Sequence, residues 1–327
     1  MKKILIISSN RLGDCILSSG VVEYYRKFYK ESEITYVCGI VPSDLFKSCD
    51  NIKNVIPLKK KKFSIHWLYL WLKVFLNYWD CVVDLRGTII SFFLITKKRV
   101  FYSGINKNKE LHKVVSTSQI IGNKILEPYM KISEKSLLTK KNIYFVRQAK
   151  KKSNLIAIAP SANWNGKKWP QERFTELIKK LINSNNFKNP KFLLFGSLNE
   201  IDDAKNISIN FSNNELINFS GSLKLSEIFL IFKYCDLLIG NDSGLMHLAA
   251  SADIPTVGLF GPSDIKQYHP WGKQTLAIRT PKSPDELMNT GSFSHKNKKS
   301  LMHGLELKTV ERKVLDFYNE LNNKYDQ

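Results

Sequence analysis

At 327 residues with 43% hydrophobic side chains, the chain can hold two domains of about 150 residues, each with its own core. Fifty Lys and Arg against 29 Asp and Glu give a formal charge of +21, which favours an anionic partner such as nucleic acid, a membrane surface or a phosphorylated substrate. Most of the excess is lysine, diffuse rather than arranged for bidentate base or phosphate recognition, and no nucleic-acid-reading motif is present, so nucleic acid is not expected as a partner.

The five cysteines, Cys15, Cys38, Cys49, Cys81 and Cys235, form no CxxC pair and several lie in apolar runs, which predicts small core residues in a reducing compartment and no metal site. The first apolar run, "ILII", stops after four residues at polar "SSNRLGD", too short for a signal peptide or a span, so a cytoplasmic location is expected.

In chain order, "KILII" at 3–7 predicts a strand, followed by the polar loop "SSNRLGD" and a helix with Ile16, Val21, Tyr24, Tyr25 and Phe28 on its apolar face. "EITYVCG" at 33–39 and "CVVDLRG" at 81–87 read as further strands ending in glycine turns. Between them, "KKKKFSIHWLYLWLKVFLNYW" at 59–79 sets four lysines before an aromatic-rich stretch. Lys73 and Asn77 break its apolar character, so it suits either a helix lying in a membrane interface or one packed on the sheet. Residues 129–153 are lysine-rich and weakly patterned and are read as the linker, giving domains at 1–145 and 146–327.

The second half repeats the architecture. "NLIAIAPSANWNGKKWPQERFTELIKKLI" at 154–182 is strand, polar loop and amphipathic helix; "PKFLLFGSLNE", "LSEIFLIFKYCDLLIGNDSG" and "PTVGLFGPSD" continue the alternation. Residues 281–303 read as a long polar loop. From about 304 a closing helix carries Val310, Val314, Leu315, Phe317 and Leu321 on its apolar face. The class is therefore α/β with parallel sheets, whose ligands gather at the carboxyl ends of the strands.

Three loops at such ends carry chemistry. In "GNDSGLMHLA" at 240–249, Asn241, Asp242 and Ser243 offer N-cap groups, Gly244 permits close backbone approach, and the helix that starts there presents an anion site with His247 in its first turn. An ordinary capped helix is the competing reading. Gly13 and Asp14 open the helix after the first strand, where Asp14 is either a cap or a general base. Ser161 and Asn163 follow a strand, and Lys167 and Lys168 stand just before Trp169-Pro170, suited to a diphosphate or simply exposed.

The stretches "ILIISSNRLGDCILSSGVV", "KKWPQERF", "FGSLNE" and "NDSGLMHLAASADIPTVGLFGPSD", in that order over nearly the whole chain, resemble glycosyltransferase family 9, the ADP-heptose:lipopolysaccharide heptosyltransferases. The resemblance implies a GT-B fold of two Rossmann-like domains facing across a cleft, with the acceptor on the first and the nucleotide-sugar donor on the second. It implies an inverting, metal-independent transferase with no cofactor beyond its donor, ADP-heptose. Asp14 is then the base, with Gly13 and, at a strand end, Arg86 toward the acceptor.

On the donor side the resemblance implies Lys167 at the phosphates, Glu200 at the ribose and Asp242 at the sugar, with Ser161 and Asn163 of the same loop as Lys167 expected to bind the donor. Ser243, Gly244 and Leu245 at the helix N-terminus hold the diphosphate and His247 orients the site. The expected partners are an anionic glycolipid acceptor and the inner membrane surface. The chain departs from the family pattern at "PSANWNG", where a glycine often follows the proline. A GT-B transferase or epimerase acting on another nucleotide sugar is the alternative reading.

Overall fold

Apolar runs with no polar alternation form strands covered on both faces, the signature of a parallel sheet flanked by helices. The protein, in a computed structural model describing residues 1–103, 110–122, 124–133, 141–289 and 299–325, contains two such sheets. They belong to two compact units, Met1–Glu134 with Lys224–Ser226, and Lys135–Leu223 with Glu227–Gln327.

The first unit runs β1 (Lys2–Ile7), α1 (Leu12–Leu17), α2 (Gly20–Phe28), β2 (Ser32–Gly39), α3 (Ile40–Phe46), β3 (Asn54–Leu58), α4 (Ile65–Val74), β4 (Trp79–Asp84), β5 (Thr96–Phe101) and α5 (Lys113–Ile121). Its strands are all parallel in the order β3-β2-β1-β4-β5. The β1 residues Ile4 to Ile7 are completely buried. Ile7 lies opposite both Val37 and Asp84, which aligns the carboxyl ends of β1, β2 and β4.

The helix expected after β1 is two helices. The Ser18 and Ser19 hydroxyls donate back to the carbonyls of Cys15 and Ile16, at 3.2 and 2.7 Å, competing with the helical ladder at the break. Phe28, expected on the apolar face, is exposed and stacks on Tyr24 instead. All five cysteines are free and buried, and burial pushes the Cys15 and Cys49 thiols up to about 12, so they behave as core residues.

The 59–79 stretch satisfies one of its two readings in part. Leu70 and Val74 of α4 are buried in the core with Leu5, Ile7 and Val82, and Trp67, Trp71 and Phe75 pack at its edge; Leu68, Leu72 and Leu76 are exposed. Among the described residues no helix is long and apolar enough to cross a membrane.

The second unit runs α6 (Lys141–Lys150), β6 (Leu155–Ala159), α7 (Gln171–Ile182), β7 (Lys191–Leu194), α8 (Ile201–Ser208), β8 (Leu216–Asn218), α9 (Leu225–Phe232), β9 (Leu237–Asn241), α10 (Gly244–Ser251), β10 (Thr256–Phe260), α11 (Ile265–Tyr268), β11 (Thr275–Arg279), α12 (Pro284–Met288) and α13 (Leu307–Tyr325). The six strands are parallel in the order β11-β10-β9-β6-β7-β8. Gly240 is required where β9 meets β6, since an added Cβ would stand 2.8 Å from both the Cβ and the carbonyl oxygen of Ala159.

The stretch expected as a linker contains α6, held by Ile143 and Val146, which are one turn apart and buried. The polar 281–303 stretch contains α12, started by a capping box between Ser283 and Glu286; its residues 290–298 lie outside the described residues. The closing helix is present, with Val310 and Val314 fully buried against the sheet core.

Candidate functional site

The chemistry-bearing loops lie at the carboxyl ends of the strands in both units. In the first, Asp14 sits in the first turn of α1, partly buried, and its Oδ2 accepts from Ser9 Oγ at 3.1 Å. The expected capping alternative is absent, because the N-cap position is Arg11 and no side chain caps this helix. Gly13 precedes it in the same turn.

Arg86 follows β4, the neighbour of β1, and is exposed with its guanidinium 5.4 Å over the Trp67 ring. Its loop is built by the fully buried Asp84, which accepts from the backbone amides of Arg86 and Thr88 and from the Thr88 hydroxyl, at 2.9, 2.7 and 2.6 Å. Gly87 turns the loop with φ +66°, a left-handed conformation that costs a glycine nothing. Asp84 was not among the residues singled out from sequence, where it reads as the polar end of an apolar strand.

The second unit assembles more. Lys167 donates to Asp242 Oδ2 at 2.6 Å, with 25% and 6% of the two side chains exposed, and His247 Nε2 stands 4.0 Å from Asp242 Oδ1. This brings together residues 75 positions apart. Ser243 is the N-cap of α10, but it makes no side-chain cap, and its buried Oγ has no hydrogen-bond partner.

The local cap expected from "NDS" therefore does not form, because each candidate group is differently engaged. Asn241, fully buried, donates to the Pro160 carbonyl at 2.6 Å and accepts from the Trp169 amide at 3.1 Å, while Asp242 is spent on Lys167. The first turn of α10 keeps its backbone donors and the positive end of its dipole uncapped by side chains. On β10, next to β9, the loop after the strand adds Ser263, whose buried Oγ is likewise unpartnered.

Ser161 is buried beside the Pro160 carbonyl that Asn241 holds, whereas Asn163 is exposed, and no described hydrogen bond ties it to the Lys167–Asp242 pair. Leu245 is buried, so only its backbone amide is available to a ligand. Glu200 Oε2 accepts from the amide and hydroxyl of Ser197, at 3.0 and 2.7 Å, closing a capping box, while its Oε1 lies 3.7 Å from Lys168. It is thus a helix-start acid with one oxygen turned to a cation.

Lys168 is not free for a ligand: it donates to Asp203 Oδ2 at 2.8 Å. Asp203 is part-exposed and paired. Burial alone would raise its carboxyl, but the hydrogen bonds from Lys168 and Gln171 hold it below the usual carboxylate range. The segment 299–305, at the junction of the expected loop and the expected closing helix, buttresses the lysine loop: Leu301 N donates to the Gly166 carbonyl at 3.1 Å and Trp169 Nε1 to that of Leu305 at 2.8 Å. No sequence signal connects these segments, which are more than 130 positions apart.

Residues 77–295 match the family described as glycosyltransferase family 9 (heptosyltransferase). Lipooligosaccharide heptosyltransferase 2 of Campylobacter jejuni subsp. jejuni serotype O:2 is 27% identical over 290 residues, covering 84% of this chain and 86% of its own. The solved structure of Escherichia coli ADP-heptose lps heptosyltransferase II superposes with a TM-score of 0.72 at 18% identity, covering 98% of this chain and all of that one. Escherichia coli heptosyltransferase WaaC with ADP superposes with a TM-score of 0.71 at 15% identity, covering 96% and 99%. The two parallel α/β sheets are thus those of the GT-B heptosyltransferases, and the protein is a glycosyltransferase that belongs to family 9.

Proposed function

We propose that the protein transfers heptose from ADP-heptose to an anionic glycolipid of the lipopolysaccharide type, with inversion at the anomeric carbon and without a divalent metal. The observation that carries this reading is the buried Lys167–Asp242 pair beside the uncapped start of α10 and the unpartnered Ser243 hydroxyl. A cation, a hydroxyl without a partner and a helix N-terminus at one strand end are the groups a diphosphate needs. The relatives support the choice of nucleotide, since one solved family neighbour is a complex with ADP and another is described as an ADP-heptose enzyme.

In the reaction, Asp14 takes the proton of the acceptor hydroxyl as its oxygen bonds to the anomeric carbon, and the bond from that carbon to the β-phosphate oxygen breaks with its electron pair leaving on ADP. Charge grows on the leaving diphosphate. Lys167, released from Asp242, and the backbone amides of Gly244 and Leu245 meet that charge, which is where binding energy raises the rate rather than only the affinity. Asp242 then has an oxygen for a sugar hydroxyl, His247 stays against it, and Glu200 offers Oε1 to the ribose. Ser161 and Asn163 border the phosphates. Gly13 and Arg86 serve the acceptor, and the basic surface draws the enzyme to the inner face of the membrane.

Calorimetric titration with ADP, UDP and GDP, and then with ADP-heptose, tests the reading. ADP is expected to bind selectively, and Lys167→Ala to weaken it by about tenfold or more. Preference for UDP or GDP would transfer the reading to another nucleotide sugar, and no nucleotide binding would end it.

A further inference from the structure

The first unit displays a surface of which the transfer reading uses only Arg86. Between residues 51 and 101 the chain carries ten Lys or Arg and only two Asp, of which Asp84 is fully buried and Asp80 is paired with Lys2 at 2.9 Å. The exposed charge of this stretch is therefore positive throughout. Within it, the outer face of α4 and the turn after it leave Leu68, Leu72 and Leu76 in solvent, at 56%, 58% and 83% exposure.

Beside α4, the short helical turn Ile89–Phe93 exposes Ile89 and Phe93 at 76% and 66%. Apolar side chains this prominent are ordinarily covered. Their display is built, not slack. Trp71 Nε1 donates to the Phe93 carbonyl at 3.1 Å, Arg99 holds the carbonyls of Ser91 and Leu94 at 2.8 and 3.1 Å, and Asp84 fixes the entry of the loop.

Between α4 and this turn opens a cavity of about 540 Å³, bordered by Trp67, Leu68, Trp71, Ile89 and Phe93, with Arg86 at one side. That volume falls in the range of small-molecule sites, and the lining is mostly apolar, with Thr88 and a single cation. A second copy of the chain would set one lysine-rich surface against another. Apolar side chains ringed by lysines instead match the boundary between lipid headgroups and acyl chains.

We propose that α4 and the Ile89–Phe93 turn insert into an anionic lipid bilayer, with an acyl-chain segment in the cavity and a lipid phosphate against Arg86. The inference gives the membrane-facing acceptor reading above a specific contact surface and rests on that reading. Lys59 to Lys62, exposed just before α4, add attraction to the headgroups.

The test is co-sedimentation of the full chain with vesicles of phosphatidylethanolamine and phosphatidylglycerol, against phosphatidylcholine alone, using acyl chains brominated near the headgroup. Binding to the anionic vesicles with quenching of tryptophan fluorescence is expected. The exposed-residue variant Ile89→Asn/Phe93→Ser should lower binding roughly tenfold with an unchanged melting temperature, and Trp67→Phe/Trp71→Phe should remove most of the quenching. Binding unchanged in the first variant, binding without quenching, or a concentration-dependent dimer that this variant dissolves would each overturn the proposal. ADP titration of the Ile89→Asn/Phe93→Ser variant should match wild type; a wild type that binds vesicles but not ADP would overturn the donor reading while this surface stood.

Discussion

The two units hold their strand-end loops by different means. In the second, the ties are long-range and buried: Lys167 to Asp242, Asn241 to Pro160 and Trp169, with partners 72 to 81 positions apart. In the first the side-chain ties are local, Ser9 to Asp14 over five positions and Asp84 to the amides two and four ahead. Long-range buried polar ties form only when the whole sheet is assembled, and they then fix a loop tightly, because breaking one leaves an unpaired group out of water. A preorganised cradle suits a compact, doubly charged ligand. Local turns with exposed apolar neighbours suit a large amphipathic one.

The largest effect should come from the loosely tied side. Asp14→Asn keeps the shape of the α1 turn and removes the proposed base, so turnover with ADP-heptose and acceptor should fall about 10²- to 10⁴-fold while ADP affinity stays within error. A mutant with near-wild-type steady-state rates would take Asp14 out of the reaction. Next is the buried pair. Lys167→Ala strands the Asp242 carboxylate and should cost about 3 kcal/mol by urea unfolding of the second unit, whereas Lys167→Ala/Asp242→Asn should recover part of that without restoring ADP binding.

Asn241→Leu removes the clamp between the two loops and should cost about 2 kcal/mol, with a loss of ADP affinity even though Asn241 touches no proposed ligand. Equal ADP affinity would show that the lysine loop holds its place without the clamp. The smallest effect concerns pH. Asp203 is depressed in the folded protein, so the contribution of its pair with Lys168 is fully present above the ordinary carboxylate value near 3.8 and fades as pH falls through the lower folded value. Because the Asp203 side chain is 41% exposed, screening keeps the contribution below about 1 kcal/mol. Comparing unfolding of wild type and Asp203→Asn between pH 2 and 6 should show two curves converging at the acid end.

Much of the second unit's site was legible because its parts are contiguous: a strand end, "NDSG" and a helix start cannot be separated by folding. What each group does there was not legible. Local spacing makes Asn241, Asp242 and Ser243 look like caps, yet two of them bond across the sheet, and the competition is decided by partners no local window contains. The same holds for Asp203, Asp84 and the 299–305 buttress. The edge strand β5 was hidden for another reason, since its exposed Lys97, Lys98 and Arg99 break the apolar signal that reveals buried strands. Helix α6 escaped because only two of its residues, Ile143 and Val146, are buried, too few to show a helical period.

By itself the sequence determined the alternation of strand and helix, the parallel α/β class, the burial of the cysteines and the order of the family motifs, because apolar periodicity and glycine-bearing turns act over a few residues. Tertiary structure alone decided that Lys167 meets Asp242 while Lys168 goes to Asp203, that Asn241 clamps instead of capping, and that one face of α4 is core while the other stays exposed. Hydrogen bonds and burial between distant segments depend on register and packing, and the free energy of leaving a polar group unpaired selects among partners only once those partners have been brought within reach.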